Sequence, residues 1–410
     1  SNWEPADKVG LAELVGATLR TGGTQSMSGD EVDDFLESRA ATIESRIGGD
    51  LGSANLSCLK EDFADVFRVF ADVLRRPVFD NAKFEVARNR ATADIARRND
   101  DPQEITAREL GTAIYGSDSP FARDKSYATL AAIRRADLVA WHQKYFQPQR
   151  MAIGIAGDID PLATLELVRK VFGDWPRGAE FSDPEPAYRK EPKPGVYVAD
   201  KNDSPQSSIV VGHLGFRKDD PDFFAVEVAN QILGGSFASR LFSNVRTKKA
   251  LGYIVYGNIG SDWLHPGVTQ VGLTTRAETT AAGIDALLEE IRGMVSNPPT
   301  EAEVAEAKQA ILQSFVFLQE SPRRIVLRQQ LPLAIRGYPA DWFDRYRAGI
   351  EAVTVDDVRR VAARHLRPDD LAIVVVGPAA TRERPLSTFG TVTPIDLTIP
   401  GGPSGKKAPR

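Results

Sequence analysis

Hydrophobic and polar residues run in the same order twice along this chain. Between 134 and 157 an amphipathic stretch carries Asp137, Leu138 and Phe146, stops at Pro148, and continues as Met151-Ala152-Ile153-Gly154-Ile155-Ala156-Gly157. The corresponding residues between 354 and 377 are Asp357, Val358, Leu366, Pro368 and Leu371-Ala372-Ile373-Val374-Val375-Val376-Gly377, a constant 220 positions later with no gap. Each copy predicts an amphipathic helix, a proline stop and a short apolar strand ending in glycine. The chain is therefore two similar halves, and what one half has kept chemically can be set against what the other has lost.

The same offset organises other elements. Thr300 followed by Glu303 is a capping box, and Val304, Ala307, Ile311 and Phe315 then fall on one helical face. Ala87 and Arg88 correspond to Ala307 and Lys308, inside a helix predicted to start after Asp80 and run to about Arg98. Further strands are predicted at 195–201, 206–216, 253–262 and 267–275. Each half reads as α+β, with helices packed on one face of a mainly antiparallel sheet. Residues 178–195 hold four prolines and seven charged residues, which predicts an extended, exposed connection. The boundaries that follow are a first domain at 1–180, a linker at 181–195, a second domain at 196–390 and a flexible tail at 391–410. In the second half two strands precede the helix near Phe223, whereas the first half starts almost directly in its equivalent helix, with Pro5 standing for Pro221. A faithful repeat predicts roughly 20 or more residues of paired strand upstream of Ser1.

Composition narrows the classes. A length of 410 residues accommodates two cores, and 42% hydrophobic with 26% charged residues is ordinary for a globular protein. The net charge of −5 gives no basic footprint for nucleic acid, and no apolar run approaches the roughly 20 residues of a membrane-spanning helix. Cys58 is the only cysteine, which excludes an internal disulfide and a thiolate metal cluster and is compatible with cytoplasm or periplasm, deciding neither. The four histidines, His142, His213, His265 and His365, include no pair at helical spacing; His142 and His365 are expected as surface or half-buried helix residues.

The densest local signal is Ser239-Arg240-Leu241-Phe242-Ser243-Asn244-Val245-Arg246-Thr247-Lys248-Lys249-Ala250-Leu251-Gly252-Tyr253-Ile254-Val255, after Gly234-Gly235. Read alone, Arg246 is a solvated helix residue and Tyr253 a half-buried strand tyrosine. The segment resembles the insulinase/pitrilysin family of zinc peptidases, whose C-terminal halves carry Arg-Thr-Lys-x-x-Leu-Gly-Tyr at this place. The resemblance covers most of the chain, including the repeated halves, the linker, and Gly10-Leu11-Ala12 followed by Gly22-Gly23-Thr24. It implies that Arg246 and Tyr253 bind a substrate peptide lying on zinc across a closed chamber. A guanidinium can hold a peptide carbonyl and a phenol can donate to a developing oxyanion.

By the same resemblance, active members carry H-x-x-E-H within the Gly-Leu-Ala segment, two imidazoles and a downstream glutamate holding zinc and the middle glutamate acting as base. Here the histidine positions are Glu13 and Ala17, the base position is Gly16, and the downstream ligand position falls on or near Asp94. No catalytic or metal-binding residue is therefore expected in this chain. The resemblance implies a non-catalytic subunit of a heterodimeric zinc metallopeptidase, inactive alone, whose homologous partner carries H-x-x-E-H and the zinc. Gly234-Gly235-Ser236-Phe237-Ala238 leaves no room for the long glycine-rich loop of the mitochondrial α-type subunit, which favours a bacterial-type assembly. The alternative is an inert scaffold or binding protein of the same fold. A third class, a hydrolase using Ser236 or Ser239, lacks the G-x-S-x-G pattern and a histidine base.

Overall fold

The computed structural model describes residues 1–380 and 382–401. Ten strands occur among them: β1 (Thr42–Gly48), β2 (Leu51–Ser57), β3 (Gly195–Asp200), β4 (Gln206–Leu214), β5 (Phe216–Arg217), β6 (Ile254–Asn258), β7 (Ser261–Asp262), β8 (Val268–Arg276), β9 (Ala372–Gly377) and β10 (Val392–Pro394). The second half is built on a six-stranded sheet in the order β10-β3-β9-β4-β8-β6. The ladders β6–β8, β8–β4 and β4–β9 are antiparallel, while β9–β3 and β3–β10 are parallel.

Helices Phe223–Leu233, Thr280–Ser296 and Val355–His365 cover one face, closing a core that includes Val196, Ile209, Val211, Val226, Ile284 and Val358. The half's own helices thus lie on one face, as expected, and the opposite face is covered as well. The helix that covers it, Pro102–Tyr115, comes from the first half. Its Leu110, Ala113 and Ile114 pack on Val210, Ala372 and Val374, and its Ile105 packs on Ala199 and Val376. Burial from both sides explains why β9 is apolar at every position instead of alternating.

The exchange is reciprocal. Pro102 and Pro322 are separated by the same 220 positions, and the helical stretch Arg324–Ile335 of the second half lies over the first. Leu327 and Leu331 would stand 3.0 and 3.2 Å from a Cβ at Gly154, and Arg336 bonds to Asp50 beside the β1–β2 hairpin at 3.3 Å. Each half thus lends one helix to the other.

The first half differs from the repeat in its sheet. Its own sheet is the antiparallel pair β1–β2, backed by a core of Leu11, Leu14, Val15, Ile43, Val66, Phe70 and Leu138 among others. Residues 151–157, predicted as a strand, form none. The counterpart β9 is held between β3 and β4. Among the described residues no strand flanks 151–157, and the backbone N–H groups of 152–156 have no backbone partner. An apolar sequence supplies strand propensity but not a ladder.

Three further expectations change. The linker has no regular structure but is pinned rather than exposed throughout: Arg189 N–H donates to Tyr115 O at 2.8 Å, Trp3 Nε1–H donates to Pro184 O at 3.0 Å, and the Asp183 carboxylate accepts from Tyr145 and Arg150. The tail begins later than 391, because β10 is the edge strand on β3 and Ile395 and Leu397 pack beside Ile105; residues 402–410 lie outside the described residues. His142 is buried, its Nε2 2.8 Å from Leu74 O and its ring stacked on Phe146, because the helix turns that face into the core. Among the described residues no helix is long and apolar enough to cross a membrane.

Candidate functional site

Arg246 and Tyr253, seven positions apart, are brought into contact by an irregular local fold. Leu241–Lys248 winds as a π-helix: Lys249 N–H reaches Asn244 O at 3.0 Å, and beyond its end Leu251 N–H reaches Val245 O at 3.1 Å. Such wide turns are rare and recur at functional sites. Ala250 then takes a left-handed φ of 49° and reverses the chain. The reversal lays the Tyr253 ring beside Arg246, whose guanidinium carbon is 4.7 Å from the Tyr253 centroid and 4.3 Å from that of Phe242. Phe237 abuts Phe242 edge-on at 4.8 Å.

The pair is presented rather than consumed. Tyr253 is 80% exposed, and neither its hydroxyl nor the Arg246 guanidinium makes a hydrogen bond among the described residues. A cation held against two π faces keeps its N–H donors available for a carbonyl or carboxylate. Immediately after Tyr253 the chain enters β6, the outer strand of the sheet on that side.

The platform beneath is rigid. Leu241 and Val245 are buried, and Asn244 Nδ2 donates to both oxygens of Glu290 at 2.9 and 3.1 Å. Burial pushes the Glu290 carboxyl up. Arg240 binds Glu303 in a two-pronged ion pair at 2.8 and 3.0 Å, and donates to Asn297 O at 2.9 Å. Glu303 is also the capping-box residue for Thr300, so one carboxylate closes a helix start and anchors the π-helix. Its hydrogen bond with Arg240, strengthened by those from Thr300, holds its pKa down to about 2.

The first half places its four degenerate positions as follows. Glu13, Gly16 and Ala17 lie on the helix Leu11–Thr18, and Asp94 is exposed on Asn81–Arg97. Both Glu13 oxygens sit 2.7 Å from Lys125 Nζ. Ala17 is exposed. At Gly16 a Cβ would lie 2.8 Å from Ile47 N and 3.1 Å from the Arg46 backbone, so the helix rests directly on β1. Ser45 Oγ donates to Gly16 O at 2.7 Å and fixes that approach. Zinc does not fit this set: imidazoles are missing, Glu13 already has a cation, and the base position has no room for a side chain.

The histidines are likewise absorbed by structure. His213 Nδ1–H donates to Leu214 O at 2.8 Å while Nε2 accepts the Arg367 backbone N–H at 3.1 Å; burial drives its pKa down to about 4. His265 stacks on Phe121 at 3.6 Å. His365 is half-buried, and its Nε2 is 2.8 Å from Asp222, within a cluster that includes Asp220. Sequence reasoning did not find this cluster, whose members come from distant segments. Asp222 also accepts from Arg360 and from Arg364 at 2.9 Å, so its charge is matched by guanidinium groups and the cluster ties two helices together.

Two family descriptions match successive stretches of the chain. Residues 1–121 match Insulinase (Peptidase family M16), and residues 132–311 match Peptidase M16 inactive domain. The chain belongs to the M16 family. The M16 relative named uncharacterized zinc protease YmxG of Bacillus subtilis is 24% identical over 87% of this chain and 86% of its own length. One of Helicobacter pylori, named non-peptidase homolog YmxG, is 21% identical over 90% and 85%. In fold, the chain is similar to a peptidase M16 inactive domain from Pseudomonas fluorescens, with a TM-score of 0.79, 24% identity and 92% and 90% of the two chains covered. A protease from Helicobacter pylori superposes equally well, at 0.79 and 18% identity over 92% and 91%. The matches bear out an M16 α+β fold with the character of an inactive homologue.

Proposed function

We propose that this chain is the non-catalytic subunit of a two-chain M16 peptidase, and that it binds substrate peptide at a zinc site supplied by a homologous partner carrying H-x-x-E-H. The observation that carries the reading is the asymmetry between the halves. Arg246 and Tyr253 stand together with their donors free among the described residues, while position 16 has no space for a catalytic carboxylate. In this reading Arg246 donates to a substrate carbonyl or carboxylate, and the Tyr253 hydroxyl donates to the oxyanion formed on the partner's metal. The rigid Arg240–Glu303 and Asn244–Glu290 anchors hold both in place without touching substrate.

The test is reconstitution. The chain alone is expected to hold no stoichiometric zinc and to leave an unstructured peptide intact; the complex with its partner is expected to cleave it. Tyr253→Phe is expected to lower kcat of the complex by about 10²-fold, the scale of one oxyanion donor. Zinc-dependent cleavage by the chain alone would overturn the assignment, and an unchanged rate for Tyr253→Phe would leave an inert scaffold.

A further inference from the structure

The wide turn beside Arg246 is defined by one backbone bond, from Lys249 N–H to Asn244 O at 3.0 Å. In a regular α-helical register Lys249 N–H would reach Val245 O instead. Here Val245 O accepts from Leu251 N–H at 3.1 Å, so the two registers compete for one carbonyl. With Val245 O given to Leu251, the chain turns back at Ala250 and brings Tyr253 onto the Arg246 guanidinium. With Val245 O given to Lys249, Leu251 would lose its partner and Tyr253 would lose that path. A wide turn is a rare conformation that persists where its surroundings hold it.

The hold comes from two consecutive residues of the helix Thr280–Ser296. Glu289 accepts from Lys249 Nζ, and Glu290 accepts from Asn244 Nδ2 with both oxygens, at 2.9 and 3.1 Å. The donor and the acceptor of the defining backbone bond are each tied to the same helix through their side chains. That helix is fixed in turn, because Ile284, Leu287 and Ile291 are buried in the second-half core. The two ties are unequal. Lys249 and Glu289 are exposed, where an ion pair contributes little. Glu290 is only 6% exposed, and among the described residues the Asn244 amide is its one hydrogen-bond donor. Removing that amide would leave a buried carboxylate without a partner, which is costly. Asn244 Oδ1 accepts from Lys248 Nζ at 2.9 Å, which turns the amide so that its NH₂ end faces Glu290.

We propose that Asn244 is the positioning residue of the peptide site: by donating to Glu290 it selects the wide-turn register in which Arg246 and Tyr253 meet, without contacting substrate. This rests on the proposed function, because it takes the pair to be the peptide-binding element.

The test reverses the bond. Asn244→Asp sets a second carboxylate against Glu290, whereas Asn244→Asp/Glu290→Gln again places a donor against an acceptor, with the direction exchanged. The first measurement is made on the full chain alone, by NMR with labelled arginine and by amide hydrogen exchange. In the parent the Arg246 side-chain protons are expected to be shifted upfield by the ring faces of Phe242 and Tyr253. Well below its melting temperature, Asn244→Asp is expected to lose that shift and to exchange the Lys249 and Leu251 amides at least about 10-fold faster. The double variant is expected to recover both. A lower melting temperature with the Arg246 shift unchanged would make Asn244 a stability residue and overturn the proposal. So would a double variant without the parent's shift, a comparison that decides even where Asn244→Asp does not fold.

The second measurement uses the complex with the partner and an unstructured peptide. Asn244→Asp is expected to lower kcat/KM by about 10²-fold, and the double variant to restore it. Slower cleavage by Tyr253→Phe but not by Asn244→Asp would overturn the positioning role and leave the proposed function standing. Unchanged cleavage in both would overturn the proposed function, and the positioning role with it.

Discussion

At the scale of the residue, position 16 matters most for what this chain cannot do. A Cβ there meets the β1 backbone, so writing the peptidase motif back into the helix adds a clash as well as three side chains. The variant Glu13→His/Gly16→Glu/Ala17→His is expected to bind no stoichiometric zinc and to cleave nothing. Gly16→Glu alone is expected to cost about 1–3 kcal/mol by overpacking, read from denaturant unfolding. Zinc bound at one per chain with peptide cleavage would refute this account of position 16. Arg246 and Tyr253 show the opposite condition, since their contact needs no buried partner and leaves both polar ends outward.

At the scale of the element, the π-helix Leu241–Lys248 is held by charge, and this makes the platform sensitive to acid. Glu303 is held near pKa 2, below its ordinary 4.5, so the stability it contributes is complete above about 4.5 and is lost as pH falls toward 2. Arg240→Ala should destabilise the fold by about 2 kcal/mol at neutral pH and should weaken the acid response in that window. A melting-temperature series against pH checks both, and an unchanged low-pH slope would exclude the ion pair as its source. His213 acts in a separate window. Its folded pKa near 4 lies below the ordinary 6.5, so protonation favours the unfolded chain and stability falls between about 6.5 and 4. The cause is burial of the imidazole, with the Arg367 charge beside it adding to the effect; Nε2 of the neutral ring accepts the Arg367 backbone N–H. His213→Gln is expected to flatten the melting-temperature curve between pH 6.5 and 4; a slope equal to the parent's would count against it.

At the scale of the whole molecule, the exchanged helices make the halves interdependent. Leu110 belongs to the first half by sequence but is buried against Val210 and Val374 of the second-half sheet. Leu110→Ala should cost about 2–5 kcal/mol. It should also raise hydrogen exchange at β4 and β9, more than 90 positions away in sequence. Exchange confined to the Pro102–Tyr115 helix would show instead that the halves are stable separately. The linker, stapled through Arg189 and Asp183, follows the same logic, since its prolines keep it extended while its side chains fasten it.

The duplicated pattern, the capping box at Thr300, the four second-half strand segments and the absence of a zinc motif were all legible in the residues. Each depends on local periodicity or on residue identity at a short spacing, which a chain carries with it whatever surrounds it. The spacing of Arg246 and Tyr253 was legible too, but their contact was not. It is produced by wide helical turns and a left-handed Ala250, which composition does not announce. Tertiary structure alone decided three more matters. Residues 151–157 and 371–377 share a pattern, yet only the second copy becomes a strand, because a strand is completed by its neighbours' hydrogen bonds. The helix Pro102–Tyr115 covers the other half's sheet, a choice made by the apolar surfaces that meet. Gly16 is closed to any side chain because β1 approaches it, and that distance is set by packing between segments which the sequence keeps about 30 residues apart.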